Sequence, residues 1–516
     1  MSNCNLENIQ LSECASLTRE TSIEYYDAPA WVSVEDVQLY NKGGFHPVHI
    51  GDILAGRFEV LHKLGHGGFS TVWLCLDTTN QRWRAVKIMT ADHSSEARDI
   101  AVVDHLQREA SLEQLEDYHI SVPSEQFWVE GPNGRHLCFV TDVFGWNAAR
   151  WSLSRDPTEE KTTAAINNVC HQIVEGLQFL HRKGICHGDL KPANVLMKLR
   201  SLDGLTKDQM LELTGEPDLM EIETVSGEDP RPHAPEYCVP GIPSGWCKSF
   251  VSDSVVIGDF GEAFHVSNPP KTTGIPELYA APEILFEGVP GLASDIWSLA
   301  CTLYEVKTHE FLFASLWGSS IRDLLMEIQH YIGPLPEPYK SVYRKQLFEH
   351  YGRAPVDVSN SNSESQAEQS TGTEGATTEP STRDYDSPCP FEESLGQERQ
   401  FHRDVPDSDH LPPEEQRETF RYRYTKEEIS MLADLLKRML RYNPSERIDI
   451  EEVFRHPWLQ GIRDDKKSAG QSKSIWTLGL SLLSLDAFSK YCLPGYLHSK
   501  AFSQDHHQPY PDPGHV

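Results

Sequence analysis

The sequence predicts an α+β protein of two lobes, a small β-rich lobe followed by a larger, mainly α-helical one, with two long disordered inserts. Three observations predict it. Residues 57–89 contain RFEVLHKLG, FSTVWLCLD and RWRAVKIM, three short runs rich in β-branched and aromatic residues around a glycine turn, the pattern of a small antiparallel sheet. From Lys161 onward Ile166, Val169, Ile173, Leu177 and Leu180 recur at three- and four-residue spacing, which puts them on one helical face. Two stretches, about 202–252 and about 355–413, are so rich in Pro, Gly, Ser and acidic residues that they predict segments without a core of their own.

The remaining organisation follows from these. Residues 1–39 form a polar N-terminal extension, 40–459 the folded body, with lobes at about 57–144 and 145–459, and 460–516 a tail. Helical pattern resumes after the second insert, where Thr425 and Glu428 have the spacing of a capping box. The most apolar late stretch, IWTLGLSLLSL at 475–485, is shorter than the roughly 20 residues that cross a bilayer and predicts a packed helix instead. The tail histidines His506 and His507 lie in polar sequence and predict no metal site.

Composition excludes some functions. The net charge of -31 argues against binding a nucleic-acid backbone and favours basic partners. The charge is uneven, with eleven Asp and Glu against three Lys and Arg between residues 202 and 253. Eleven cysteines without a CxxC pair, and a start lacking the apolar core of a signal peptide, predict a reducing intracellular compartment.

The chemistry-bearing residues come in order along the chain. Gly65, His66, Gly67, Gly68, Phe69, Ser70, Thr71 and Val72 sit between two strands, where missing side chains let backbone N–H groups approach phosphates. Alone, such a hairpin is only a turn. The strand containing Ala85, Val86, Lys87 and Ile88 offers a lysine flanked by apolar residues, which alone reads as a snorkelling side chain. In HGDLKPAN, Asp189 is followed at two residues by Lys191 and at five by Asn194, so one loop carries a base, a charge neutraliser and a metal ligand. Asp259, in VVIGDFGEAF, ends an apolar strand, and Ala281, Pro282 and Glu283 close the series.

This ordered set resembles the protein kinase signature, and the resemblance implies a bilobal protein kinase fold and ATP-dependent phosphoryl transfer to serine or threonine. It makes Asp189 the residue that orients and deprotonates the acceptor hydroxyl. Lys191 stabilises the transferring group, Asn194 and Asp259 hold Mg²⁺, and Lys87 positions the α and β phosphates of ATP. The nucleotide-binding positions then run from Leu64 to Val72, with Ala85 a further one. Glu283 is expected to pair with Arg447.

A more specific resemblance lies upstream. YNKGGFHPVHIGD, from Tyr40 to Asp52, leading into RFEVLHKLGHGGFSTVWLCLD, is similar to the approach segment of the SR-protein-specific kinases. It covers about residues 40–459 apart from the inserts, and implies basic Arg/Ser-rich protein substrates, a monomer, and residence in cytoplasm and nucleus. Arg-rich peptides suit an acidic protein in sign. The same resemblance places HLCFVTDVFG over the adenine, with Thr141 as gatekeeper and the backbones of Asp142 and Phe144 as contacts. His46 and Trp73 are expected to be packing residues.

Several positions depart from the pattern. Where an acid on the lobe's helix pairs with Lys87, the aligned residue is Asp99, with Glu96 as a substitute. Ser70 stands at the third glycine. Gly188 replaces the arginine that in many kinases reads a phosphorylated loop, which predicts activity without phosphorylation of Thr272 or Thr273. In GIPELYAAPE, Ala280 stands at a usual arginine and Ile275 or Pro276 at a threonine that contacts the catalytic loop. His309 stands at a usual turn glycine and reads as neutral drift.

Overall fold

The computed structural model describes residues 26–27, 34–95, 98–243, 245–313, 321–351, 391–404 and 417–460. Strands β1 (Ile53–Leu54), β2 (Phe58–Gly67), β3 (Ser70–Asp77), β4 (Arg82–Met89), β5 (Glu125–Gly131) and β6 (Gly134–Thr141) form an antiparallel sheet of order β1-β2-β3-β4-β6-β5. Alternation puts Val60, Trp73, Cys75, Val86, Ile88, Cys138 and Val140 in one apolar layer. Trp73 is a packing residue as expected, and its indole N–H donates to Thr71 Oγ1. Helix α1 (Arg98–Glu109) buries Leu106 against the larger lobe.

In that lobe, α2 (Glu160–Arg182) buries all five residues of the predicted stripe. It packs against α3 (Leu292–Thr308), which is enclosed over nearly its whole length. Thr425 caps the helix Lys426–Met439 by accepting from Glu428 N, but the reciprocal half of the capping box is not made. The Glu428 carboxylate pairs instead with the buried Lys307.

The segment 202–252 differs from its expectation as an insert without order. Helix Lys207–Thr214 and the short strands Met220–Glu221, Glu223–Thr224 and Tyr237–Cys238 lie in it. It builds no core of its own and borrows one. Leu202 and Met210 pack with Leu61, Leu74, Trp83 and Val143, and Val239 joins the sheet core. Composition cannot register this, because the apolar partners are supplied by the other lobe. In the second insert, 352–390 lies outside the described residues, whereas Phe391–Leu395 is a helix and Arg399–Asp404 pairs with Arg417–Tyr422.

The N-terminal boundary also moves. Glu35 and Val37 are buried with Tyr26, Tyr40 and Phe45, so the folded body starts before residue 40. Two glycines make this return possible. Gly43 has φ +89°, and a Cβ on Gly44 would lie 1.8 Å from Leu39 O. The apolar stretch 475–485, His506 and His507 lie outside the described residues, and among the described residues no helix is long and apolar enough to cross a membrane.

Candidate active site

The loop from Cys186 to Asn194 is set by contacts made over long sequence distances. The Asp295 carboxylate, near the start of α3, accepts from His187 N at 2.7 Å, Gly188 N at 3.0 Å and His181 Nε2 at 3.0 Å. Burial would raise its pKa, but these donors hold it below the ordinary carboxylate value. His187 donates from Nε2 to Gly258 O at 3.1 Å and its Nδ1 accepts from Asp189 N at 3.3 Å, which ties the loop to the strand carrying Asp259.

Asp189 is thereby presented with one side satisfied. Its Oδ2 accepts from Lys191 Nζ at 2.5 Å and Asn194 Nδ2 at 2.9 Å, while Oδ1 is buried with no partner in the protein. Burial raises its pKa, with Lys191 opposing. A buried carboxylate oxygen without a donor is costly, and an incoming hydroxyl removes the cost. The amide nitrogen of Asn194 is committed to Asp189 O and Oδ2, so its carbonyl oxygen is the atom that could meet a metal.

Asp259 follows the strand Val251–Ile257, which pairs antiparallel with Val195–Leu199, so Asn194 and Asp259 sit at the same end of adjacent strands. Its φ of +60° turns the carboxylate back toward Lys87, whose Nζ lies 2.7 Å away. Burial would raise the Asp259 pKa, but Lys87 holds it low and the group charged. The side chain of Asp99 and all of Glu96 lie outside the described residues.

The residues present fit a magnesium nucleotide. Positions Gly65, Gly67 and Gly68 line an open cradle in which an added Cβ would meet nothing within 4 Å. Asn194 and Asp259 would supply two oxygen ligands, few enough that the metal would keep phosphate and water ligands, as Mg²⁺ prefers. When bound, Mg²⁺ neutralises charge on the phosphates. Around the cradle, Gly67 pairs with Ser70, His66 with Thr71, and Gly65 with Val72, while Phe69 is exposed at the tip against His93, 4.1 Å between centroids. Leu64 packs with Leu61 and Val143, and buried Ala85 pairs with Thr141. Thr141 Oγ1 donates to Asp142 O at 3.1 Å, leaving that carbonyl a second lone pair, and the Asp142 carboxylate faces Arg84. Phe144 begins the strand Phe144–Asn147, which pairs with Val195–Leu199.

The protein kinase domain model matches residues 58–208 and 249–459, and the unmatched gap falls within the first insert. Serine/threonine-protein kinase spk-1 of Caenorhabditis briggsae is 37% identical over 172 residues, 32% of this chain and 15% of that protein. SRSF protein kinase 3 of Homo sapiens is 36% identical over 176 residues, 32% of this chain and 29% of that protein. The chain thus spans less than a third of the length of these two. Serine/threonine-protein kinase SRPK of Physarum polycephalum is 30% identical over 300 residues, 55% of this chain and 68% of that protein. The chain belongs to the protein kinase domain family, in its SRPK-like branch.

In this kinase the segment after Asp259 is fastened by a strand pair and two hydrogen bonds. Strand Phe264–His265 pairs with Ile185–Cys186, and the Glu262 carboxylate accepts from Gly274 N at 2.9 Å. Thr273 Oγ1 donates to Gly188 O at 3.3 Å, so a threonine does contact the catalytic loop, although not at the aligned positions 275 and 276. Gly188 itself has φ +75°, and a Cβ there would lie 2.4 Å from Glu262 O. Ala280 is buried behind Tyr279, whose hydroxyl donates to Glu305 at 2.5 Å. Glu283 and Arg447 form the expected pair, both buried, with bonds of 2.6 and 2.5 Å.

Sequence reasoning missed Asp295, His181 and Glu262. Asp295 had a signal, an acid twelve residues beyond Glu283 at the head of an apolar helix, whereas the other two had none. His309, which the sequence alone leaves as drift, adopts φ +64° at the end of α3 and its ring bonds Ser152 Oγ at 2.6 Å. It therefore ties α3 to the helix Ala148–Leu153.

Proposed function

We propose that this kinase transfers the γ-phosphoryl group of ATP to serine side chains in basic, Arg/Ser-rich proteins. The observation that carries the transfer is the orphaned Oδ1 of Asp189, whose Oδ2 is held by Lys191 and Asn194. Asp189 takes the proton of the seryl hydroxyl as its oxygen bonds to the γ-phosphorus and the bond to the β-phosphate oxygen breaks, releasing ADP. Lys191 balances charge at the transferring group, and Lys87 fixes Asp259 and the donor phosphates. The adenine would lie against Asp142 and Phe144. The substrate class is supported by the net charge of -31 and by similarity to a relative named SRSF protein kinase 3.

The test compares an Arg/Ser-repeat peptide with a basic protein lacking Arg/Ser repeats, using Mg·ATP, with Asp189→Ala as control. Transfer to the repeat peptide alone, abolished in the variant, is expected. Equal use of both would replace the substrate class with a general serine/threonine specificity. No transfer by folded wild-type protein would leave a scaffold that binds partners through its acidic surface.

A further inference from the structure

Strand β2 enters the phosphate loop through two bulges. Val60 pairs with Cys75 and His62 with Leu74, then Lys63 with Trp73 and Gly65 with Val72, so Leu61 and Leu64 are the extra residues. Between the bulges sits Lys63, whose side chain is wholly buried. Each of its polar groups is held from outside the β2–β3 backbone ladder. Its amide donates to His62 Nδ1 at 2.8 Å, and its carbonyl accepts from Ile242 N at 2.9 Å. Its ammonium is bonded to the Glu35 carboxylate and lies 5.2 Å from the centre of the Trp73 ring. Glu35 is buried and also accepts from Tyr40 OH at 2.5 Å. Ile242 belongs to the first insert and Glu35 to the N-terminal extension, so two segments outside the catalytic core converge on the residue two positions before Gly65.

We propose that Lys63 is a positioning residue for the phosphate-binding loop, and that Glu35 and the insert at Ile242 set the geometry in which that loop receives ATP. This rests on the proposed ATP-dependent transfer, in which the cradle at Gly65, Gly67 and Gly68 receives the nucleotide. A buried ammonium must keep its carboxylate, which defines where the strand can sit. Bulges are points at which a strand bends, and pinning both sides of one fixes the direction in which the following residues leave it. The loop's tip is tied to the sheet by Thr90 N, which donates to Phe69 O at 2.9 Å, and by the Phe69–His93 ring contact, while the space beside Gly65, Gly67 and Gly68 is open. The direction in which β2 enters the loop is set at the bulges on either side of Lys63. When the anchor is released, the fraction of molecules with the loop in the receiving geometry falls, and apparent nucleotide affinity falls by that fraction.

The experiment measures Mg·AMP-PNP binding by calorimetry, the KM values for ATP and for peptide, and amide hydrogen exchange over residues 64–70. It uses full-length Glu35→Gln and Lys63→Met, with Lys307→Met as control, because Lys307 is an equally buried lysine paired with Glu428 in the other lobe. Expected are a roughly fivefold or greater weakening of nucleotide binding, a parallel rise in KM for ATP, unchanged KM for peptide and faster exchange in Glu35→Gln. Lys63→Met should behave likewise, whereas Lys307→Met should lower thermal stability without moving nucleotide binding. Glu35→Gln and Lys63→Met proteins that lose stability yet bind nucleotide as wild type would overturn the proposal and leave a merely structural ion pair. A folded wild-type protein that binds no nucleotide would overturn the reading of the loop first, and this inference with it.

Discussion

Gly188→Ala is the smallest change that tests the catalytic loop. The residue has φ +75°, where an L side chain costs about 1–2 kcal/mol. The new Cβ would stand 2.4 Å from Glu262 O, a backbone atom that cannot rotate away, and such overpacking costs about 1–3 kcal/mol more. The sum, roughly 2–5 kcal/mol, is divided between lower stability and displacement of the two chains. Displacement moves Asp189 on one side. On the other it moves Glu262, which holds Gly274 N at 2.9 Å. A misplacement of about 1 Å in the catalytic constellation costs around 10²-fold in rate. The assay is kcat on an Arg/Ser peptide together with the urea midpoint, and both should fall. A variant with wild-type kcat and wild-type midpoint would refute the argument, since it would show that the close approach of Gly188 to Glu262 is not a constraint.

Alanine at Thr272 and Thr273 should leave turnover within about tenfold of wild type, because Thr273 contributes only neutral hydrogen bonds of about 0.5–1.5 kcal/mol, and steady-state kinetics of the double variant checks it. The Asp189 pKa is raised by burial, so its ionised form opposes folding above the pKa of the unfolded chain, and kcat should fall with decreasing pH at a point above the ordinary aspartate value. Asp189→Asn should accordingly cost about 10²–10⁴-fold in kcat while its melting temperature at pH 7 equals or exceeds that of wild type; a drop of several degrees would contradict the sign. Glu283→Gln leaves the buried Arg447 without its carboxylate and should lower unfolding free energy by about 3–5 kcal/mol in urea titration, and a loss near zero would show the pair to be dispensable.

The sequence made the site legible where the chemistry is local. Asp189, Lys191 and Asn194 meet within one loop because their spacing of two and five residues closes a single turn, and the same bonds are present in the structure. The strands around Lys87 and the stripe on α2 were readable from periodicity for the same reason. Legibility failed where a partner arrives from far away. Asp295 organises His187 and Gly188 across more than a hundred residues, and Thr273 reaches Gly188 from outside the expected positions 275 and 276.

What the sequence determined by itself was the fold class, the order of the catalytic elements and the identity of the groups that can meet a phosphate, all set by residue type and short spacing. What only the tertiary structure decided was which distant groups hold those elements in place. Lys87 meets Asp259, Arg447 meets Glu283, Lys63 meets Glu35, and the acidic insert lies down on the sheet. The physical reason is common to the last three, whereas Lys87 and Asp259 are partly exposed and are simply far apart in sequence. A buried charge, or an apolar residue in polar company, is stable only against a surface supplied by another part of the chain, and no window of sequence contains both.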